Sequence, residues 1–180
     1  MIFTAASYFW GAVINNQMIR IGIISDTHGR LLPKVLGFLS QADEIWHAGD
    51  IGSPEVLHEL GKLGPVRAVF GNIDGSAVRR ECSEELVFRV EDLKVFMTHI
   101  GGYPGRYHPK SKKVIEQEKP GLFVCGHSHI LKVIYDRKYE LLHINPGAAG
   151  IYGMHRSVTA IRLVIDGKEM RDLEVLDIPR

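Results

Sequence analysis

Seven side chains of the kinds that commonly bind metal ions stand directly after short apolar runs of this 180-residue sequence. The runs include "IGIIS" before position 26 and "LFVCG" before position 127, and their apolar character predicts buried strands. Ligands of open α/β sheets bind beyond the carboxyl ends of the strands, so we expect these side chains to share one edge of the fold. The seven residues are Asp26, His28, Asp50, Asn72, His99, His127 and His129.

This donor set predicts a site for two divalent cations. Seven nitrogen and oxygen donors exceed the needs of a single tetrahedral ion, and a carboxylate such as Asp50 can bridge two ions through its two oxygens. No thiolate takes part, so we expect Mn²⁺ first, with Zn²⁺, Fe²⁺, Ni²⁺ or Mg²⁺ as alternatives. Two such ions, ~3.5–4 Å apart, would hold a hydroxide and clamp the attacking and leaving oxygens in phosphoryl transfer. We assign catalysis to Asp50, Asn72 and His99.

The spacing within two of the motifs predicts how the side chains point. Asp26 and His28 are separated by one residue, as are His127 and His129, and in extended backbone this step turns both side chains to the same side. Glycines at positions 49, 71 and 126 precede ligand positions. We expect sharp exits from the strands there, where a larger residue would crowd the ions.

The elements that must position these residues fall into two halves. Residues 19–71 are typical of strand, helix, strand, helix, strand, which implies a parallel sheet with helices packed on it. The second helix is expected over residues 53–64, with Pro54 in its first turn. After residue 80 the sequence predicts strands with short connectors, one helix near residues 111–119 and a hairpin turn at the Asp-Gly pair 166–167. The predicted fold class is therefore α/β (α+β), with two sheets packed together and helices outside.

Composition and charge exclude several classes of function. Lys plus Arg number 22 and Asp plus Glu 21, a balance that provides no field for specific nucleic-acid binding or for an anionic membrane surface. No apolar run reaches the roughly 20 residues of a membrane-spanning helix. The two cysteines, Cys82 and Cys125, cannot form a disulfide framework, so we expect reduced thiols and a cytoplasmic location.

Residues 1–17 stand apart from the rest of the chain. They are apolar and aromatic but contain no Lys or Arg, and residue 18 is a methionine that opens a strand-like run. A secretory signal needs a basic start, so a poor export signal is the less favoured alternative. We expect residues 1–17 to be a non-functional extension and residues 18–180 to form a single domain.

The five motifs together resemble those of the calcineurin-like metallophosphoesterases. The chain is similar to the small branch of YfcE-like phosphodiesterases, and "INPGAAG" at residues 144–150 resembles a further motif of that branch. The resemblance implies a four-layer αββα sandwich, in which helices flank two mixed β-sheets. It also implies a first ion bound by Asp26, His28, Asp50 and His129 and a second ion bound by Asp50, Asn72, His99 and His127.

Two positions depart from the pattern of that family. Ile73 follows Asn72 where many members carry a histidine that contacts phosphate or protonates the leaving group, although the next residue, Asp74, is retained. Without that acid we expect the enzyme to prefer good leaving groups and to hydrolyse aryl phosphodiesters faster than alkyl ones. Ala148 stands where the branch often carries a serine, a change that affects one hydroxyl hydrogen bond and not the metal ligands.

The glycine-rich loop "GGYPGRYHPK" at residues 101–110 leaves two interpretations open. It is either a flap whose Arg106 and Tyr107 contact a phosphate together with Asn72, or an ordinary exposed loop. Among the remaining histidines, His47 is a candidate to orient a metal ligand, because partners of this kind commonly lie behind ligands. We expect ordinary surface or hydrogen-bonded roles for His58, His108, His143 and His155.

The leading hypothesis is a dinuclear metal-dependent phosphoesterase. More narrowly, it is a phosphodiesterase that hydrolyses a P–O bond of a small molecule by in-line attack of a metal-bridging hydroxide. The alternative is a non-catalytic protein-interaction scaffold of the same fold, like the retromer subunit that resembles this branch. A metallo-β-lactamase-like hydrolase is disfavoured, because its His-x-His-x-Asp motif comes early, whereas His127 and His129 come late and lack the Asp. No nucleic-acid or membrane partner is expected, and a homo-oligomer is left open.

Overall fold

The computed structural model describes residues 18–180, so the expectation for residues 1–17 lies outside the described residues. The first half of the described chain contains β1 (Ile19–Ile24), α1 (Pro33–Leu39), β2 (Glu44–His47), α2 (Pro54–Gly61), β3 (Val66–Ala68) and α3 (Ser76–Glu81). The second half contains β4 (Glu85–Val90), β5 (Leu93–Thr98), β6 (Gly102–Tyr103), β7 (Arg106–Tyr107), α4 (Pro109–Glu118), β8 (Leu122–Val124), β9 (Leu131–Asp136), β10 (Leu141–Pro146), β11 (Ser157–Asp166) and β12 (Glu169–Pro179).

The longer strands form two five-stranded mixed sheets. In the first sheet, of order β12-β11-β1-β2-β3, the strands β1, β2 and β3 run parallel, β11 pairs antiparallel with β1, and β12 pairs antiparallel with β11. In the second sheet, of order β4-β5-β8-β10-β9, the parallel strands β5, β8 and β10 lie between antiparallel edges. The short strands β6 and β7 pair as a separate ribbon. Candidate ligands follow five of the six parallel strands, so the parallel parts of both sheets position the site.

The main core lies between the inner faces of the two sheets. Ile21 of β1 and Trp46 of β2 belong there to one apolar cluster with Val95 of β5 and Val124 of β8. Alternate residues of the first sheet face outward and pack against α1 and α2, while Ile115 of α4 packs on the outer face of the second sheet. Burial of both faces explains why the parallel strands have unbroken apolar sequences. The layers are helix, sheet, sheet and helix, which confirms the predicted αββα sandwich.

Three of the helices begin at a proline, which suits the first helical position because its missing N–H would lack a partner there. The helix α2 ends at Gly61, three residues before the predicted end at residue 64. The helix α3 is not predicted from the sequence, because six residues with one buried apolar side chain, Val78, carry no helical periodicity. The longest helix, α4, has ten residues. Within residues 18–180 no helix is long and apolar enough to span a membrane.

Candidate metal centre

Hydrogen bonds join the loops that follow β1, β2, β5 and β8. The N–H of Asp26 donates to the carbonyl of Gly49 at 2.9 Å, which links the loop after β1 to the loop after β2. The N–H of Gly126 donates to the carbonyl of His99 at 3.0 Å within the second sheet. The two sheets are connected by the N–H of His127, which donates to Oδ2 of Asp26 at 3.1 Å. The carboxyl ends of strands from both sheets therefore converge on one edge of the sandwich.

Six of the seven predicted ligands form two adjacent clusters at this edge. One cluster holds Asp26, His28 and His129, and the other holds Asp50, His99 and His127. In each cluster the donor atoms lie within 4.8 Å of one another. Nε2 of His99 lies 3.2 Å from Oδ1 of Asp50 and 4.0 Å from Oδ1 of Asp26, so the clusters share a boundary. The family resemblance separates the other five residues in the same way, but it assigns Asp50 to both ions, whereas the structure groups Asp50 with His99 and His127.

The distances inside the clusters fit a divalent cation. Oδ1 of Asp26 lies 3.2 Å from Nε2 of His129, which lies 3.4 Å from Nε2 of His28. Two donors bound at 2.0–2.1 Å to one ion, at 90–109° to each other, are separated by about 2.8–3.4 Å. Within residues 18–180, the buried Oδ1 of Asp26 and Nε2 of His99 have no aligned hydrogen-bond partner. Such an unpaired buried atom costs about 1–3 kcal/mol, which a bound cation would offset.

The carboxylates of the two clusters give the edge a field that favours cations. Burial opposes a charge on His99, but the carboxylates of Asp50 and Asp26 outweigh this effect and raise its pKa. Asp26 likewise raises the pKa of His129, against a smaller opposing effect of burial. Burial alone would raise the pKa of Asp50, yet the neighbouring His99 holds it below its ordinary value. The same negative potential attracts protons and metal ions.

Hydrogen bonds behind the clusters orient two of the imidazoles. Nδ1 of His99 lies 2.8 Å from the carbonyl of Ala48 and donates to it, which leaves the Nε2 lone pair facing the cluster. Nδ1 of His129 lies 3.3 Å from Nδ1 of His155, whose Nε2 lies 3.0 Å from the carbonyl of Gly150. A carbonyl only accepts, so Nε2 of His155 donates and its Nδ1 accepts from His129. Burial lowers the pKa of His155, which keeps this ring neutral.

The backbone at the ligand positions is left-handed, so the extended backbone predicted from the two-residue spacing is wrong. The φ angles are 56° at Asp26, 50° at His28, 55° at Asp50, 69° at His127 and 55° at His129. Each strand ends before its ligand and the chain turns there, with the result that His127 and His129 reach different clusters. A residue other than glycine in this conformation costs about 1–3 kcal/mol. The hydrogen bonds between the loops hold these turns in place.

The glycines that precede the ligands allow close approach of other ligand side chains. A Cβ atom at Gly71 would overlap Oδ1 of Asp50, and one at Gly49 would lie 2.6 Å from Nδ1 of His99. Gly49 also has a φ of 93°, which side chains disfavour. The chain turns sharply at the strand ends, as predicted. A larger residue at Gly49 or Gly71 would, however, collide with the ligand side chains and not directly with the ions.

His47 supports two of the loops from behind. Its Nδ1 accepts the N–H of Gly49 at 3.2 Å, and its Nε2 lies 2.8 Å from Oγ1 of Thr27, which itself donates to the carbonyl of Ile51 at 2.9 Å. Burial lowers the pKa of His47 to about 4, so the ring is neutral near pH 7. The candidate role of donating to a ligand side chain is not seen for His47. Instead it joins Thr27, between Asp26 and His28, to Gly49, before Asp50.

Asp74 ties the loop after β3 to the loop after β2. Its carboxylate accepts the N–H groups of Ile51 at 3.1 Å, Gly52 at 2.7 Å and Gly71 at 2.7 Å. The side chain is buried. Three backbone donors account for this carboxylate, so it orients the two loops that carry Asp50 and Asn72.

The motif at residues 144–150 supports the turn that carries His127. Nδ2 of Asn145 donates to the carbonyl of Gly126 at 2.7 Å and to Oγ of Ser128 at 3.1 Å. Oδ1 of Asn145 accepts the N–H of Gly147 at 3.0 Å. Ala148, two residues before Gly150, is fully buried. The amide of Asn145 thus fixes both sides of the turn.

Asn72 lies at the rim of the centre. It is exposed and lines a cavity of about 400 Å³ together with His99. Its side chain makes no hydrogen bond to the residues that the structure describes, so its amide is available to a ligand. The following residue, Ile73, donates its N–H to Oδ1 of Asp50 at 3.1 Å and exposes its side chain.

The two residues predicted for phosphate contact in the glycine-rich loop have different surroundings. Arg106 lines a second cavity, of about 310 Å³, which also reaches His127. The structure does not bring Tyr107 to the ligand clusters, because its hydroxyl donates to Oδ2 of Asp136 at 2.8 Å and its ring packs against Phe123. Burial and the carboxylate of Asp136 raise the pKa of Tyr107, which holds it as a neutral phenol.

Comparisons with known proteins agree on one family. Residues 19–168 match the calcineurin-like phosphoesterase superfamily domain. A protein of Methanothermobacter thermautotrophicus named "Probable metallophosphoesterase" is 28% identical over 162 residues, which cover 87% of this chain and 91% of that protein.

Solved structures share the fold. Vacuolar protein sorting 29 of Cryptosporidium parvum is similar with a TM-score of 0.72 and 18% identity, over 91% of this chain and 99% of that chain. YfcE, a phosphoesterase of E. coli, is similar with a TM-score of 0.58 and 20% identity, over 87% of this chain and 98% of that chain. With its matched domain and its two clusters of metal-binding side chains, the chain belongs to the calcineurin-like phosphoesterase superfamily.

Proposed function

We propose that the protein is a dinuclear metal-dependent phosphodiesterase acting on small molecules, with Mn²⁺ as the first candidate metal. Family membership supports phosphoester hydrolysis in general. The observation that carries the two-metal part of the proposal is the pair of adjacent clusters. Three pairs of their donor atoms lie 3.2–3.4 Å apart, and Oδ1 of Asp26 and Nε2 of His99 lack aligned partners within the described chain.

In this proposal each cluster holds one cation and Asp50 is shared. Asn72 completes the cluster of Asp50, His99 and His127. When bound, the two cations supply an activated water and stabilise the charge on the phosphoryl oxygens. The N–H of Ile73 restrains rotation of the Asp50 carboxylate through its hydrogen bond to Oδ1. Nε2 of His99 lies 3.2 Å from Oδ1 of Asp50 and 4.0 Å from Oδ1 of Asp26, so the two clusters are close enough for one carboxylate to serve both cations.

The substrate phosphate would lie between the two cavities that flank the centre. Asn72 on one side and Arg106 on the other offer N–H donors to its free oxygens. Because the side chain of Ile73 can neither donate nor accept a proton, the leaving oxygen departs without an acid at that position. This arrangement favours substrates whose leaving group is already a weak base.

Hydrolysis assays on chelator-stripped protein test the proposal. The stripped protein receives Mn²⁺, Zn²⁺, Fe²⁺, Ni²⁺ or Mg²⁺, and bis(p-nitrophenyl) phosphate is compared with p-nitrophenyl phosphate. We expect no turnover without metal, recovery with Mn²⁺, a higher kcat/KM for the diester, and two ions per chain by elemental analysis. Absence of turnover with every metal would refute the assignment as an enzyme. Faster hydrolysis of the monoester would refute the assignment as a phosphodiesterase.

A non-catalytic protein-interaction scaffold is the second candidate function. The similarity in fold to vacuolar protein sorting 29 favours it. A scaffold has no need for clustered carboxylates and imidazoles with unsatisfied buried atoms, which argues for the enzyme. A stable complex with another protein, combined with no metal-dependent turnover, would support the scaffold.

We also infer a cytoplasmic location. The two cysteines are both free. Burial raises the pKa of Cys82 to about 11 and that of Cys125 to about 12, so both remain protonated thiols near neutral pH. Cysteines that form no disulfide are typical of reducing compartments.

A further inference from the structure

The cavity of about 310 Å³ beside His127 is set apart from the rest of the surface by its lining. It lies between the β6–β7 ribbon, which contributes Tyr103 and Arg106, and the start of β9, which contributes Lys132. His143 and Asn145 of β10 also line it. One end of this cavity is therefore at the metal centre and the other is under the glycine-rich loop.

The charged side chains of this cavity are all cationic. Arg106 and Lys132 line it, and its lining contains no carboxylate. Neither cation forms an ion pair with residues 18–180; Nζ of Lys132 instead lies 4.1 Å from the ring centre of Tyr103. The cavity on the other side of the centre differs, because Glu84 and Glu85 line it and Lys110 pairs with Glu84 at 3.3 Å. Of these two cavities, only the one of about 310 Å³ combines unpaired positive charge with a lining free of acids.

Regular backbone pairing positions the residues that carry both cations. Lys132 is the register partner of Asn145, the residue that fixes the turn carrying His127. Arg106 pairs with Tyr103 in the ribbon. The ribbon contacts the second sheet, because Nε2 of His143 on β10 lies 3.0 Å from the carbonyl of Gly102. The backbone at both cations therefore belongs to elements that adjoin the metal centre.

Apolar side chains surround the opening of the cavity. Ile100, Tyr103 and Ile130 line it and remain 38%, 40% and 60% exposed. Exposed apolar groups next to unpaired cations suit a ligand with an apolar segment that ends in an anion. A substrate whose only anionic group is the scissile phosphate would not need these apolar side chains and additional cations.

We propose that the cavity lined by Arg106 and Lys132 binds a second anionic group of the substrate, joined to the scissile phosphodiester by a short apolar linker. The proposal rests on the proposed phosphodiesterase function and narrows its substrate class. His127 at one end places the scissile phosphate, and Lys132 receives the second anion, a carboxylate or a phosphonate-like group. The guanidinium of Arg106 has five N–H donors, so it can donate to this second anion as well as to the scissile phosphate.

Matched esters with one leaving group test this proposal. The p-nitrophenyl phosphodiesters of propanol, 3-hydroxypropionate and 2-hydroxyethylphosphonate are compared by kcat/KM in the metal-loaded protein. We expect both anionic esters to exceed the propyl ester by about tenfold, the factor typical of a charge-assisted hydrogen bond. The carboxylate and phosphonate arms show which anion the cavity prefers.

Charge variants locate the effect. Lys132→Gln and Arg106→Gln are expected to lose most of the preference, and Lys132→Arg is expected to keep it. Lys138→Gln is the matched control, since Lys138 also lies over a tyrosine ring, at 5.0 Å from the centre of Tyr139, but belongs to another cavity. This control should retain the full preference.

A binding measurement separates failure of this proposal from failure of the proposed function. Equal kcat/KM for the three esters in the wild type would overturn the second-anion site and leave the phosphodiesterase standing. If no ester is hydrolysed, calorimetric titration with 2-carboxyethylphosphonate decides. We expect about tenfold weaker binding to Lys132→Gln than to the wild type and to Lys138→Gln. Equal affinity of the wild type, Lys132→Gln and Lys138→Gln for this ligand would overturn the second-anion site, whatever the outcome of the hydrolysis assays.

Discussion

Oδ1 of Asp50 lies 3.2 Å from Nε2 of His99 and also accepts the N–H of Ile73 at 3.1 Å. The residue is only 3% exposed, so water does little to screen its charge. Movement of this carboxylate away from the centre would break its contacts with both His99 and Ile73. A single change at this residue is therefore expected to act on the metal ions directly.

Replacement Asp50→Asn is expected to reduce the metal content below two ions per chain and to lower kcat/KM by more than about 100-fold. This loss exceeds the roughly 10–100-fold that follows changes behind the ligands, because the shared negative charge is removed. Elemental analysis and assays with bis(p-nitrophenyl) phosphate measure both effects. Asp177→Asn, at an exposed position of β12, is the matched control. Two bound ions and normal activity in Asp50→Asn would remove Asp50 from this role.

The side chain of Ile73 predicts a strong dependence on the leaving group. A methyl p-nitrophenyl phosphodiester should turn over much faster than dimethyl phosphate, since a positioned general acid contributes roughly 10²–10⁴-fold and none stands at this position. Ile73→His should narrow that ratio. The measurement is kcat for the two esters under conditions where chemistry limits the rate. Equal rates for the aryl and alkyl leaving groups in the wild type would contradict the prediction.

Single residues differ in how far the sequence reveals them. The convergence of six candidate ligands was predictable because each is a metal-binding type placed after an apolar run. His155, which orients His129, has no such mark, since "GMHRS" contains no motif spacing. The partner of Tyr107 is Asp136, 29 residues away, and no local pattern predicts that hydrogen bond. Side chains that act through long-range contacts require the folded structure.

At the scale of elements, the loops after β1, β2 and β3 act as one unit. His47 joins the first two through Thr27 and Gly49, and Asp74 joins the second and third through Gly52 and Gly71. These hydrogen bonds stabilise left-handed turns that are unfavourable in isolation. A disturbance in one loop is expected to reach the ligands of its neighbours.

Gly71→Ala tests that coupling. The added Cβ would overlap Oδ1 of Asp50, so the carboxylate has to move and Mn²⁺ affinity is expected to fall at least about tenfold. Overpacking of this kind costs about 1–3 kcal/mol of unfolding free energy. Gly61→Ala at the end of α2 is the control, because nothing lies within 4 Å of a Cβ there. Wild-type Mn²⁺ affinity in Gly71→Ala would contradict the close approach of the Gly71 backbone to the Asp50 carboxylate.

His47 predicts a specific pH dependence of stability in the metal-free protein. Burial lowers its pKa to about 4 in the folded state, against 6.5 for the ordinary group, so the unfolded chain binds more protons between these values. The free energy of unfolding is therefore expected to be higher above pH 6.5 and to decrease as the pH falls towards 4. The total decrease due to His47 is about 3 kcal/mol. Denaturant unfolding with chelator present measures the slope with pH. His47→Gln should flatten the slope and the exposed His58→Gln should not; equal slopes for wild type and His47→Gln would refute the account.

The elements themselves were predictable to different degrees. Parallel strands such as β1 and β8 are buried on both faces, so their apolar runs identify them in the sequence. The helix α3 buries only Val78 and gives no such signal. The left-handed exits at Asp26 and His127 were missed because hydrogen bonds from other loops, and not local propensity, select them.

At the scale of the whole molecule, the centre depends on the packing of the two sheets. The first sheet positions Asp26, His28 and Asp50, and the second sheet positions His99, His127 and His129. Each cluster takes ligands from both sheets, so neither cluster forms until the sheets pack together. Bound metal is therefore expected to stabilise the complete sandwich, since it binds the folded state alone.

The most direct test is a crystal structure of the Mn²⁺-loaded protein with anomalous diffraction at the manganese edge. We predict two anomalous peaks about 3.5–4 Å apart, with Asp50 between them. One peak should be bound by Asp26, His28 and His129, and the other by His99, His127 and Asn72. A single peak, or none at these residues in fully loaded protein, would contradict the dinuclear centre.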